Sequence, residues 1–150
     1  MIDIHIGVGH SRVGGVTFKV WGEQFFSAYK TMDKRLNSPV PYFLLCRSLE
    51  LFLKAIHLRE KSHRKVRSEY GHDLVGSYNN LPESYKCLSD DQFAVLVRCN
   101  EFYSKKGFEY LTPEFLVETY SGFYNIPELT KLEQIVEKVL VTMPNVFVSK

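Results

Sequence analysis

Between His57 and Leu74 the chain reads HLREKSHRKVRSEYGHDL, a segment that holds three of its five histidines. From His57 to His72 there are five Lys or Arg (Arg59, Lys61, Arg64, Lys65, Arg67) against two Glu (Glu60, Glu69), a local charge of +3 in a chain whose net charge is +2. Imidazole titrates near neutrality and can move a proton, while guanidinium and ammonium groups hold phosphate oxygens. Three readings follow. The segment is an active site, or a contact surface for the phosphate of RNA, a nucleotide or a partner's ligand, or the solvated end of a helix where positive charge meets the negative end of the helix dipole. The candidate ligand contacts are Arg64, Lys65, Arg67, Tyr70, His72 and Asp73, with Tyr70 and Tyr78 close enough in sequence to offer stacking faces. The plainer readings come first: His72 as a helix-start residue bonding a backbone group or carboxylate, Asp73 as a cap, and His57 and His63 as solvated residues at a helix end.

A second polar set, Arg47, Glu50, Lys54, His57 and Lys61, recurs at spacings of three, four, three and four, so its members share one helix face. As a surface it is salt-bridged, with Glu50 to Lys54 in the favourable order. As an interface, Arg47, Glu50 and Lys54 pair across a two-fold axis and fix orientation more than affinity.

Other chemistries lack their residues. The three cysteines, Cys46, Cys87 and Cys99, are odd in number, far apart and without a C-x-x-C, which argues against a disulfide framework or a zinc site and for a reducing, cytoplasmic setting. There is no G-x-S-x-G, and GVGHSRVGG puts Arg12 where a dinucleotide-binding G-x-G-x-x-G needs its third glycine, so this stretch reads as a mobile turn. No metal or cofactor is expected.

The elements that must position these groups are helices. At 150 residues the chain is one domain, residues 1–150, able to bury roughly two-thirds of its unfolded surface. Ile2, Ile4, Ile6 and Val8 alternate with polar residues or glycine, which predicts an extended arm to about Val16. The N-terminal stretch has no basic start followed by an apolar run, and no run of 18 apolar residues occurs, so neither export nor membrane insertion is expected. A first helix, from about Val16 to Leu36, buries Phe18, Trp21, Phe25, Tyr29, Met32 and Leu36. A second, from Pro41 to about Lys61, is apolar on two sides through Leu45, Leu49, Phe52, Ile56 and Leu44, Leu51, Leu58, and so lies centrally. A polar break follows it.

A short helix spans His72 to Asn80. A capping box at Ser89 to Gln92 starts another, buried through Phe93, Leu96, Val97 and Tyr103. Lys105 to Asn125 looks irregular, with at most a short helix. A last helix, from about Pro127 to Met143, buries Leu129, Leu132, Val136, Val139 and Met143. The fold class is all-α, an up-and-down bundle of about five helices.

The segments SLELFLKAIHL, YGHDL and NEFYSKKGFEY, in that order and followed by an amphipathic helix, resemble the HEPN family of helical domains over about Phe18 to Met143. Where relatives carry an R-Y-P-like turn, this chain has FEYLTP. The resemblance implies an up-and-down bundle, usually dimeric. Some members are metal-independent ribonucleases, often toxins neutralised by a nucleotidyltransferase partner, and others are non-catalytic binding modules.

Catalytic members carry R-x(4 to 6)-H, usually near the start of the last helix. The pair meeting this spacing here is Arg67 and His72, separated by SEYG, and it lies between the central helix and the next one. Its residue types suit RNA cleavage: His72 moving a proton at the 2′-hydroxyl or leaving oxygen, Arg67 clamping the phosphate. The off-position pair ranks the expectations. A dimeric HEPN-like binding module for a nucleotide, RNA or partner protein comes first, a ribonuclease using Arg67 and His72 second, and an assembly domain third.

Overall fold

The computed structural model describes residues 10–34, 38–108 and 127–143. Among them the chain is a helical bundle with no strand: α1 (His10–Thr31), α2 (Val40–His57), α3 (His63–Tyr70), α4 (Leu74–Asn79), α5 (Asp90–Tyr103) and α6 (Leu129–Thr142), with a 3-10 turn at Glu83–Tyr85. No described helix is long and apolar enough to cross a membrane. The arm over residues 1–9, the helix end at Leu36, the FEYLTP turn beyond Phe108 and most of the irregular stretch to Asn125 lie outside the described residues.

Helix α2 is central, as its double apolar stripe implies: 13 of its 18 residues are buried, and α1, α4, α5 and α6 all pack on it. Pro41 sits in its first turn, where a missing N–H leaves no bond unmade. Leu45, Leu49, Phe52 and Leu53 are all but inaccessible, and Leu44 is only half-buried. The thiols of Cys46 and Cys99 are free and meet in this core, where burial pushes the Cys46 thiol up.

Helix α1 differs from expectation at both ends and in its buried face. It begins at His10 and ends at Thr31, so the span from His10 to Val16 is helical rather than extended. Gly14 and Gly15 thus lie within a helix, their low propensity overridden by packing against α2. The deeply buried side chains are Phe26 and Tyr29, whereas Trp21 is 48% exposed. Gly22 explains the rotation. A Cβ there would stand 2.6 Å from the Phe52 ring and 3.1 Å from the Ser48 carbonyl oxygen, so α1 and α2 meet backbone to side chain at this point. The Ser48 hydroxyl donates to the Gly22 carbonyl at 2.7 Å and seals the contact. A count of apolar residues assigns a glycine no weight, although here it marks the centre of the face.

The polar break after α2 is itself a helix. Helix α2 stops at His57, and Ser62 then caps α3, its Oγ accepting from the Lys65 N–H at 3.3 Å. Only Val66 and Tyr70 of α3 are buried, too few apolar residues to register as a period. Gly71 ends α3 at φ +50°, a conformation side chains disfavour, and Asp73 caps α4 by accepting from the Gly76 N–H at 3.0 Å. The capping box of α5 is present, with Gln92 N–H to Ser89 Oγ at 3.3 Å and Ser89 N–H to Gln92 Oε1 at 3.1 Å. On α5 Cys99 takes the buried position expected of Val97, which is 37% exposed. Helix α6 buries Leu132, Ile135, Val136 and Val139, and Tyr29 ties it to α1 by donating to Glu133 at 2.9 Å.

Gly22→Ala should destabilise the fold by about 1–3 kcal/mol, because the Phe52 ring it meets is wholly buried and cannot yield. Gly14→Ala, whose Cβ would reach only ordinary contact at 3.7 Å from Leu58, should be neutral or stabilising through helix propensity. Urea denaturation of both variants checks the contrast; equal effects would disprove the close approach at Gly22.

Candidate functional site

Glu50 is the organising residue. It sits on α2 only 3% exposed, and each of its oxygens accepts from two donors. Oε1 takes Lys54 Nζ at 2.5 Å and Arg47 Nη1 at 3.1 Å. Oε2 takes His72 Nδ1 at 3.1 Å and the Tyr103 hydroxyl. Burial alone would raise this carboxyl, but the bonds from Lys54 and Tyr103 and the nearby Arg47 charge outweigh it and hold the group below its ordinary 4.5. Glu50 is therefore a carboxylate at neutral pH. Its neighbours respond in kind: burial and Glu50 hold the Tyr103 phenol protonated, and Glu50 overcomes the desolvation of the Arg47 guanidinium and raises it.

The ionised carboxylate can only accept, so Nδ1 of His72 carries a hydrogen and donates it. The imidazole is thereby fixed in position, with Nε2 on the ring edge away from the bond. The Tyr103 ring meets it edge-on at 6.0 Å. Asn100 secures the segment from below, accepting from the Leu74 N–H at 2.8 Å and donating to Asp73 at 3.0 Å.

Above Glu50 opens a cavity of about 390 Å³, lined by Arg47, Glu50, Lys54, Arg67 and His72, with Phe18, His63, Val66 and Gly71 completing its wall. His63, Val66 and Arg67 reach it because steps of three and four put them on one face of α3. The Arg67 guanidinium has no ion pair or hydrogen bond among the described residues, whereas Lys61 and Lys65 both engage Glu69, at 2.5 and 3.8 Å.

Of the expected ligand contacts, Arg67 and His72 line this cavity together. Arg64 and Lys65 are exposed elsewhere on α3, and Asp73 is the cap of α4. Tyr70 is a correction. It is 6% exposed, stacked on His57 at 4.3 Å with its hydroxyl taken by Lys61, because α3 needs it as one of two anchors. Tyr78 is likewise buried, its hydroxyl accepting from the Leu88 N–H at 2.8 Å. His57 is a second correction: it is buried beneath the Tyr70 ring with Nε2 bonded to the Ser77 carbonyl at 2.8 Å, and desolvation lowers its pKa. Along the polar stripe of α2 the expected salt bridges are present, Arg47 and Lys54 both pairing with Glu50, but around a carboxylate that is buried rather than at the surface.

Phe18, His63 and Tyr103 belong to the site without having been singled out for it. Phe18 comes from another helix, and Tyr103 stands 53 residues from Glu50. Among the described residues no group of three or more His, Cys, Asp or Glu could hold a metal ion. Comparison with protein families, with curated proteins and with solved structures finds no match to this chain.

Glu50→Gln should destabilise the protein by about 3–5 kcal/mol, since it leaves Arg47 and Lys54 without their counter-charge. On acidification, stability should fall in two stages. From about pH 6.5 downward the unfolded chain protonates His57 more readily than the folded one, in which the group is depressed. Below 4.5 the same holds for Glu50, whose contribution is lost as pH drops through its lowered folded value. Urea midpoints from pH 8 to pH 3 should show the second stage reduced in Glu50→Gln, and an unchanged acid limb would refute the assignment.

Proposed function

We propose that this chain is a HEPN-like, dimeric binding module that takes a phosphate-bearing ligand, RNA or a nucleotide, in the cavity above Glu50. One observation carries the reading. Three cations, Arg47, Lys54 and Arg67, face a cavity whose one carboxylate among the described residues is already saturated by four donors. Among the described residues the surplus positive charge has no partner, and an anion is its natural complement. Arg67 is free to form a bidentate pair with phosphate oxygens. The volume lies in the range of small-ligand sites, of the order of 300–1,000 Å³.

A second reading is favoured by the geometry of His72. With Nδ1 held by Glu50, Nε2 is the lone-pair nitrogen of the neutral ring, as a general base requires. In a metal-independent ribonuclease Nε2 takes the proton of a 2′-hydroxyl, O2′ forms a bond to phosphorus, and the 5′-oxygen leaves with a proton returned from an acid. Arg67 balances the charge that builds on the phosphate oxygens. A nucleotidyltransferase-type partner belongs with this reading.

The test is incubation of purified protein with labelled mixed-sequence RNA in excess chelator, followed by mobility shift and product analysis. Retention should fall steeply as salt rises, and Arg67→Ala should weaken it across all sequences while lowering the salt slope by about 1. Intact RNA with His72→Ala still binding supports the module. Cleavage by the wild type that is lost in His72→Ala promotes the ribonuclease. Absence of any RNA or nucleotide binding refutes both.

A further inference from the structure

We propose that the RNA held at this cavity is single-stranded, with its bases stacked on His63 and Trp21, the two ends of a row of rings that Phe18 joins. The inference rests on the reading that the cavity takes a nucleic-acid phosphate. Phe18 and His63 are part of the cavity wall, their ring centroids 5.3 Å apart and nearly perpendicular. Trp21 continues the row outward, its centroid 5.7 Å from that of Phe18 at a tilt of 33°. The rings thus lead from the charged floor to the open surface without interruption.

The two ends of the row are available to a ligand and the middle is not. Phe18 packs against the small cluster of Leu58, Val66 and Tyr70, so it joins α1 to α3 and has a structural duty. Trp21, by contrast, is 48% exposed, and His63 is exposed. The packing of Gly22 against Phe52 and Ser48 turns Trp21 away from the core, so its exposure follows from the helix contact. An indole beside a surplus of positive charge is a surface on which a base can stack while its phosphate is held.

The choice of single strand follows from access and size. Bases in a duplex already stack on one another and offer no free face, whereas splayed bases do. A cavity of about 390 Å³ admits a nucleotide-sized group and not a duplex. Arg64, next to His63, is exposed and has no ion pair among the described residues, and it supplies a further cation for a backbone running past the rim.

The chain has one tryptophan, so its fluorescence reports this site alone. The probes are a ten-nucleotide single-stranded RNA of mixed sequence, the same RNA annealed to its complement, and inorganic polyphosphate, with RNA affinity measured independently by anisotropy of an end label. Single-stranded RNA should quench the tryptophan saturably, and the duplex should not. Trp21→Ala should weaken single-strand binding about tenfold and leave polyphosphate binding unchanged, with Trp21→Phe restoring most of the loss. Equal RNA affinity in wild type and Trp21→Ala would overturn the stacking rim while leaving phosphate binding intact. Trp21→Ala that alters the sedimenting species without altering RNA affinity would assign the rim to a second copy of the chain and overturn the proposal. A wild type that binds neither RNA nor polyphosphate would remove the proposed function and this inference with it.

Discussion

Glu50 is a charge placed inside the central helix, and a buried carboxylate is stable only if its lone pairs are occupied and its charge is compensated. Both requirements are met by drawing in residues from several elements: Arg47 and Lys54 from the flanking turns of α2, His72 from the start of the α4 segment, Tyr103 from the end of α5. The same four bonds therefore hold three parts of the bundle in register. They also produce the cavity's character. Two cations attracted by a single anion leave an excess on their far side, to which Arg67 adds from α3. Polarity that appears costly to the core is thus what gives the surface above it a sign.

The second constraint is the close passage of α1 over α2. Phe52 and the Ser48 carbonyl stand where a side chain on Gly22 would have to go, and this contact sets the rotation of α1 about its own axis. Phe26 and Tyr29 turn inward, Phe18 turns toward α3, and Trp21 turns out. One rotation thereby fixes both the packing of the core and which rings border the cavity. The aromatic wall and the charged floor come from different helices, and the bundle joins them through α2.

What could be read from the chain and what could not divides along a physical line. Local signals were legible: Pro41, the Ser89–Gln92 box, Asp73 as a cap, and the two apolar stripes that make α2 central all act within one or two turns of helix. Ser62 carried a capping signal of the same kind, but α3 has only two buried residues behind it, and a polar sequence hid a helix. Rotation of a helix face was not legible where glycine determined it. The spacing of Arg47, Glu50 and Lys54 correctly put them on one face, but the direction of that face depends on Tyr103 and His72, 53 and 22 residues away from Glu50. Long-range partners of this kind leave no period. His57 and Tyr70 are the converse case: they stand in a charged segment whose composition implies solvent or ligand contact, yet their rings stack on one another in the interior.

His72 shows why a structural role and a chemical one need not compete. Bonding to a carboxylate at a helix start is the ordinary expectation for such a residue, and Glu50 satisfies it. That bond also selects the tautomer and frees Nε2, which is the first demand of proton transfer. The orientation needed for chemistry thus arises from the packing of α2 against the α4 segment, without any further cost to the fold. Arg67 meets the complementary demand from the opposite wall, because the turn at Gly71 brings the end of α3 and the start of α4 to the same cavity. On the proposed reading, holding a phosphate and cleaving beside it differ in where the bound backbone places its 2′-oxygen relative to Nε2. The ring rim would set that register by fixing the base.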